Sequence, residues 1–142
     1  MARVLFALLT VVLVSGFARA DDKTEMKALA GKWTVADAEV DGKKVSETFK
    51  NLELVLEGGN YTVKVGGMED KGTVTVNTAK APKAMDVSGT EGPNRGQTYP
   101  CIYELKDDTL TICYGLDFKT RPTELKTADK SNTMLIVYKR KK

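Results

Sequence analysis

The chain of 142 residues has no histidine, one tryptophan, two cysteines and four prolines. Without histidine, Ser-His and Cys-His nucleophile pairs, histidine-bound metals and histidine-ligated haem are excluded. A P-loop, a G-x-S-x-G elbow and a dinucleotide-binding fingerprint are also missing. The glycine pairs Gly58-Gly59 and Gly66-Gly67 read as turns, because no helical pattern follows either pair to receive a phosphate. The acidic pairs Glu69-Asp70 and Asp107-Asp108 lack the spaced oxygen ligands of a Ca²⁺ loop and read as solvated turn acids. The surviving routes to catalysis use carboxylates or tyrosines alone, and nothing marks a pair for that task. No catalytic residue, metal or cofactor is therefore expected.

A long hydrophobic run is likewise missing. The longest, Val4 to Val14, is broken only by Thr10 and is too short to span a bilayer comfortably. Arg3 precedes it and Ala18-Arg19-Ala20 follows, the order of a secretory signal peptide with an A-x-A cleavage site. Residues 1–20 are read as that signal, in preference to a retained anchor, and 21–142 as one domain. Asp21, not Cys, follows the cut, which argues against a lipid-anchored lipoprotein. The expected location is periplasmic or secreted. Without Arg3 and Arg19 the remainder carries 20 basic and 19 acidic side chains. That balance argues against nucleic acid as a partner. The basic tail, Lys139-Arg140-Lys141-Lys142, reads as the solvated end of a strand rather than a polyanion site.

What remains is mostly alternation with period two. Asp22 and Glu25 have capping-box spacing, and Met26, Leu29 and Ala30 follow at helical spacing. One or two helical turns ending at Gly31 are predicted. Strands are then predicted at Lys32 to Val40, Leu52 to Glu57, Tyr61 to Val65, Gly72 to Val76, Lys83 to Ser88, Thr98 to Leu105, Thr109 to Tyr114 and Thr133 to Lys139. A helical turn is expected around Phe49. Leu52, Leu54 and Leu56 share a face, as do Tyr61, Val63 and Val65, and then Val74 and Val76. Each strand therefore commits one face to the core, leaving no second apolar face to cover. Hairpin-length connections favour sequential pairing. The expected fold is all-β: an eight-stranded antiparallel up-and-down barrel with a short N-terminal helical turn. A Greek-key sandwich is the competitor. Such a barrel is just wide enough to be filled by side chains or to hold one small ligand.

The register of the hairpin joining the sixth and seventh predicted strands decides the cysteines. Pairing Leu105 with Leu110 keeps the apolar faces aligned and sets Cys101 opposite Tyr114 and Ile102 opposite Cys113. The two sulfurs then lie on opposite faces, where a bridge is geometrically poor. A slip of one residue would pair the cysteines, at the cost of setting Leu110 against Glu104.

Gly31-Lys32-Trp33, placed at the start of the first strand after a helical turn, resembles the G-x-W motif of lipocalins. The chain resembles more closely an uncharacterised lipocalin-like domain family abundant in planctomycete bacteria. The segments that carry this are Leu29-Ala30-Gly31-Lys32-Trp33, Val40-Asp41-Gly42-Lys43-Lys44-Val45, Glu91-Gly92-Pro93-Asn94, Ile102-Tyr103-Glu104-Leu105, Asp108-Thr109-Leu110-Thr111-Ile112-Cys113-Tyr114 and Arg121-Pro122-Thr123-Glu124. Cys101 departs from the small residue expected there. The resemblance implies an exported barrel and no activity. It also implies that Arg140 lies over the Trp33 ring once the last strand pairs with the first.

The candidate ligand-contacting residues are Trp33, Tyr61, Tyr103, Tyr114, Arg121 and Tyr138. Trp33 is read chiefly as a plug at one end of the barrel. The five tyrosines, Tyr99 included, fall in predicted strands. They either pack there with satisfied hydroxyls or line a pocket mouth. Arg121 either pairs with Glu124 or reaches the mouth as an anion anchor. Two functions follow: a binding module with a small apolar or amphipathic ligand inside, or a filled barrel acting through its surface as an interaction or inhibitor domain in the cell envelope. Interior volume discriminates them.

Overall fold

The computed structural model describes residues 20–142. The stretch read as a signal segment lies outside them except for Ala20, the first residue of helix α1 (Ala20–Leu29). The strands are β1 (Gly31–Val40), the two-residue β2 (Lys43–Lys44), β3 (Glu53–Glu57), β4 (Asn60–Val65), β5 (Met68–Asn77), β6 (Lys83–Glu91), β7 (Thr98–Lys106), β8 (Thr109–Gly115) and β9 (Thr133–Arg140). A short helix, α2 (Ser46–Phe49), stands where the turn around Phe49 was expected. From β3 to β9 each strand pairs antiparallel with the next, and β1 pairs with both β3 and β9. β2 only flanks the far end of β1. The result is a closed eight-stranded up-and-down barrel, and the sequential order excludes the Greek key.

Period-two alternation puts Trp33 and Val35 inside. A bulge between Val35 and Asp37 then shifts the register against β9, so that Ala38 is the next buried residue of the strand. Leu54 and Leu56, Tyr61 and Val63, Val74 and Val76, and Ile136 and Tyr138 continue the lining. The β7–β8 register is the one the leucines dictate: Leu105 faces Leu110, Cys101 faces Tyr114, and Ile102 faces Cys113. Both cysteines are buried and free.

Three expectations need correction. Asp22 is not the helix boundary, because α1 already includes Ala20 and Asp21. Its carboxylate accepts hydrogen bonds from the Thr78 backbone N–H and hydroxyl, and Glu25 accepts from Tyr103 and Lys83. These contacts hold the helix to the barrel, and a tertiary acceptor role displaces the local cap. Second, β5 begins four residues earlier than predicted, so Glu69-Asp70 is strand rather than turn. Third, the outer face is not wholly wet. Ala84, Ile102 and Cys113 make a buried outward stripe. The segment 116–132 lies against it, with the Cys113 sulfur 3.8 Å from the Lys126 carbonyl.

One end of the barrel is closed by α1 and Trp33. The indole N–H donates to the Leu29 carbonyl at 3.0 Å, and the ring is fully buried. Arg140, directly opposite Trp33 in the β1–β9 ladder, places its guanidinium carbon 4.3 Å from the ring centroid. Its Nη atoms donate to the Ala28 and Ala30 carbonyls at 2.8 and 2.7 Å, and its Nε to Asp108. Arg140 thus satisfies the Ala28 carbonyl, one of the last of α1 without an intrahelical partner, and that of Ala30 just beyond the helix. Gly31 is required here. Its φ is +139°, and a Cβ would stand 2.9 Å from Arg140 Nη1.

Trp33→Ala should destabilise the fold by about 3–5 kcal/mol, the cost of deleting a core aromatic. Chemical denaturation reads this directly, and an unchanged midpoint would show that Trp33 plugs nothing. Burial raises both thiol pKa values, Cys113 to about 11 and Cys101 well above its ordinary value. Native protein should therefore resist iodoacetamide at pH 8 and label at both thiols only after denaturation. A non-reduced mass lower by two hydrogens would instead reveal a bridge and a different register.

Candidate functional site in the barrel interior

Above the Trp33 floor the interior is hollow. A cavity of about 360 Å³ lies inside the barrel. Leu54, Leu56, Val74, Met85, Ile112 and Ile136 supply much of its wall. Phe49 from α2, Val65, Met68, Pro93 and Leu116 line it nearer the strand ends opposite α1. Met68 is 54% exposed, and Phe118, 39% exposed, sets its ring 4.8 Å from that of Tyr99. Apolar side chains thus reach solvent around the mouth.

The polar groups of the wall form two clusters. Asp70 points inward because it shares the period-two face of β5 with Gly72 and Val74, and it is only 8% exposed. It accepts hydrogen bonds from the Tyr61 hydroxyl (2.9 Å), the Asn94 backbone N–H (3.2 Å) and the Asn94 side-chain amide (2.9 Å). The Tyr99 hydroxyl in turn donates to the Asn94 side-chain oxygen at 2.7 Å. Gly92 permits this fold-back: its φ is +92°, and a Cβ would stand 2.6 Å from the Glu69 carbonyl. The second cluster is the Tyr114–Tyr138 pair, whose hydroxyls lie 2.8 Å apart. One bond uses one of their two protons, and no second hydrogen bond to either hydroxyl is seen among the described residues.

Tyr61, Tyr114 and Tyr138, three of the residues singled out in the sequence, line the cavity together, and Tyr99 joins them. The other three lie off its wall. Trp33 is beneath the floor. Tyr103 also faces inward but gives its hydroxyl to Glu25 of α1, at the closed end. Arg121 neither enters the mouth nor pairs with Glu124, which pairs with Lys126. Instead it spans the outside of β6 and β7, donating to the Met85 and Cys101 carbonyls at 3.0 and 2.7 Å and pairing with Asp86 at 2.7 Å. It anchors the segment 116–132, because a planar fork of donors suits two carbonyls and a carboxylate at once. Sequence reading missed Asp70 and Asn94. The signal for Asp70 was its i, i+2 spacing from Gly72 and Val74, masked by the acidic neighbour that made the pair look like a turn.

No protein-family model, curated protein or solved structure matches the chain.

Burial raises the pKa of Tyr61, Tyr99, Tyr103, Tyr114 and Tyr138, and the carboxylate of Asp70 adds to the effect at Tyr61 and Tyr99. These phenols hold their protons in the folded chain but release them near pH ~10 once unfolded. Their contribution to stability is therefore complete below pH ~10 and is lost as pH rises beyond it. In an alkaline titration, tyrosinate absorbance and loss of the far-ultraviolet β signal should rise together. Full ionisation of the phenols with the sheet intact would contradict their burial.

Proposed function

We propose that the protein is a binding module that holds one small apolar or amphipathic molecule inside its barrel. The observation that carries this reading is the cavity of about 360 Å³, walled by aliphatic and aromatic side chains with a few convergent polar groups. Its volume falls at the lower end of the ~300–1,000 Å³ typical of ligand sites. A barrel acting only through its surface has no need of a hollow core, which forfeits packing contacts on every wall atom. The asymmetry of the barrel supports the same reading, since one end is sealed by Trp33 and α1 and the other carries exposed Met68 and Phe118. The lipocalin-like placement of Gly31-Lys32-Trp33 fits such a container. Among the described residues the titratable groups on the wall are the Asp70 carboxylate and four phenols, and burial keeps the phenols protonated, which suits recognition rather than turnover. If residues 1–20 direct export, the module works in the periplasm or outside the cell.

The test uses the uncharged fluorophore N-phenyl-1-naphthylamine. Saturable binding with a Kd of roughly 1–50 µM is expected. It should be abolished by Val63→Trp, which fills the cavity, in protein whose circular dichroism is unchanged. Absence of saturable binding to the unmodified protein would overturn the reading.

A further inference from the structure

The charge on the cavity wall discriminates among apolar ligands. Among the described residues Asp70 is the only charged one on it, and no lysine or arginine lines it. The three donors that reach the Asp70 carboxylate are all neutral, and it forms no ion pair among the described residues. A carboxylate has about four acceptor sites, so one remains for a further donor. A buried carboxylate held by hydrogen bonds without a cation is an incomplete arrangement, because charge of opposite sign compensates desolvation better than neutral dipoles. The aromatic rings on the same wall add to this. Tyr61 bonds Asp70 directly, Tyr99 reaches it through Asn94, and the rings of Tyr99 and Tyr114 meet edge to face at 6.0 Å and 87°. Ring faces attract cations, most strongly where water is excluded.

We propose that the ligand is an apolar amine, its ammonium head bound at Asp70 among Tyr61, Tyr99 and Tyr114 and its hydrocarbon body held against the aliphatic wall that includes Leu54, Leu56 and Ile136. This deepens the binding reading and rests on it. A fatty-acid anion is the poorest fit. Its carboxylate would approach a second buried carboxylate with no cation on the wall to offset the repulsion. A neutral alcohol falls between, since it donates one hydrogen bond and carries no charge. The position of Asp70 near the start of β5, at the strand ends opposite α1, places the head close to the mouth and the tail inward.

The experiment measures displacement of N-phenyl-1-naphthylamine at pH 7 by decylamine, decanol and decanoate, which share a chain length and differ in head charge. Decylamine should bind at least about tenfold more tightly than decanoate, with decanol between them. Asp70→Asn should weaken decylamine about tenfold while changing decanol by less than about threefold. Decanoate binding as tightly as decylamine, or decylamine binding unaltered by Asp70→Asn, overturns the amine assignment and leaves the container intact. Failure of all three compounds to displace the fluorophore, or failure of the fluorophore itself to bind, overturns the binding reading beneath it. Should Asp70→Asn not fold, the ranking of the three compounds on the unmodified protein decides alone.

Discussion

Closing a sheet into a tube creates two open ends, and in this chain one guanidinium organises the sealing of one of them. Arg140 sits where the last strand meets the first, stacked on Trp33 at 4.3 Å and donating to the Ala28 and Ala30 carbonyls. The same side chain therefore joins the closure seam, the aromatic floor and the C-terminal end of α1. A planar fork with a delocalised charge can stack on a ring and spread its donors to two carbonyls and to Asp108, which a lysine ammonium cannot do. Gly31 belongs to this arrangement because the space a Cβ would need is taken by Arg140. The G-x-W pattern is thus a packing requirement: a residue without a side chain beside the cation, and a ring beneath it.

From that sealed floor follows the polarity of the whole barrel. Trp33 is fully buried and lines no part of the cavity, which extends toward the opposite strand ends, where α2 and the 92–97 loop contribute Phe49, Pro93 and Asn94. Outside, the segment 116–132 covers the stripe of Ala84, Ile102 and Cys113, with Arg121 tying it to the carbonyls of β6 and β7. That covering explains why Cys113 is buried although it faces away from the core. The two arginines with structural roles work alike: each satisfies backbone carbonyls that strand and helix geometry leave accessible.

Inside the cavity the balance is between packing and polarity. Aliphatic side chains such as Leu54, Leu56, Val63, Val74, Ile112 and Ile136 make most of the wall. The Tyr61–Asp70–Asn94–Tyr99 chain and the Tyr114–Tyr138 pair interrupt that apolar lining, and such buried polar groups demand partners. A few groups carry the polarity of this wall, while most of it is apolar area.

Strand order, the eight strands of the barrel and the β7–β8 register were legible in the residues, because each follows from rules of short range, whereas the Trp33–Arg140 contact was implied by the lipocalin resemblance. Period-two alternation assigns faces, hairpin-length turns assign neighbours, and Leu105 with Leu110 admits a single alignment. Closure then brings the ends together. Asp70 escaped because adjacent acids look alike whether solvated or buried, and Arg121 because a loop arginine finds its acceptors across space, here on two strands at once. The chain's own pattern determined the container, since backbone pairing and the segregation of apolar faces are dictated locally. Only the tertiary structure decided that the container is hollow and that Asp70 lies on its inner wall. Volume and the neighbours of a carboxylate depend on how distant side chains meet, and no local spacing records that.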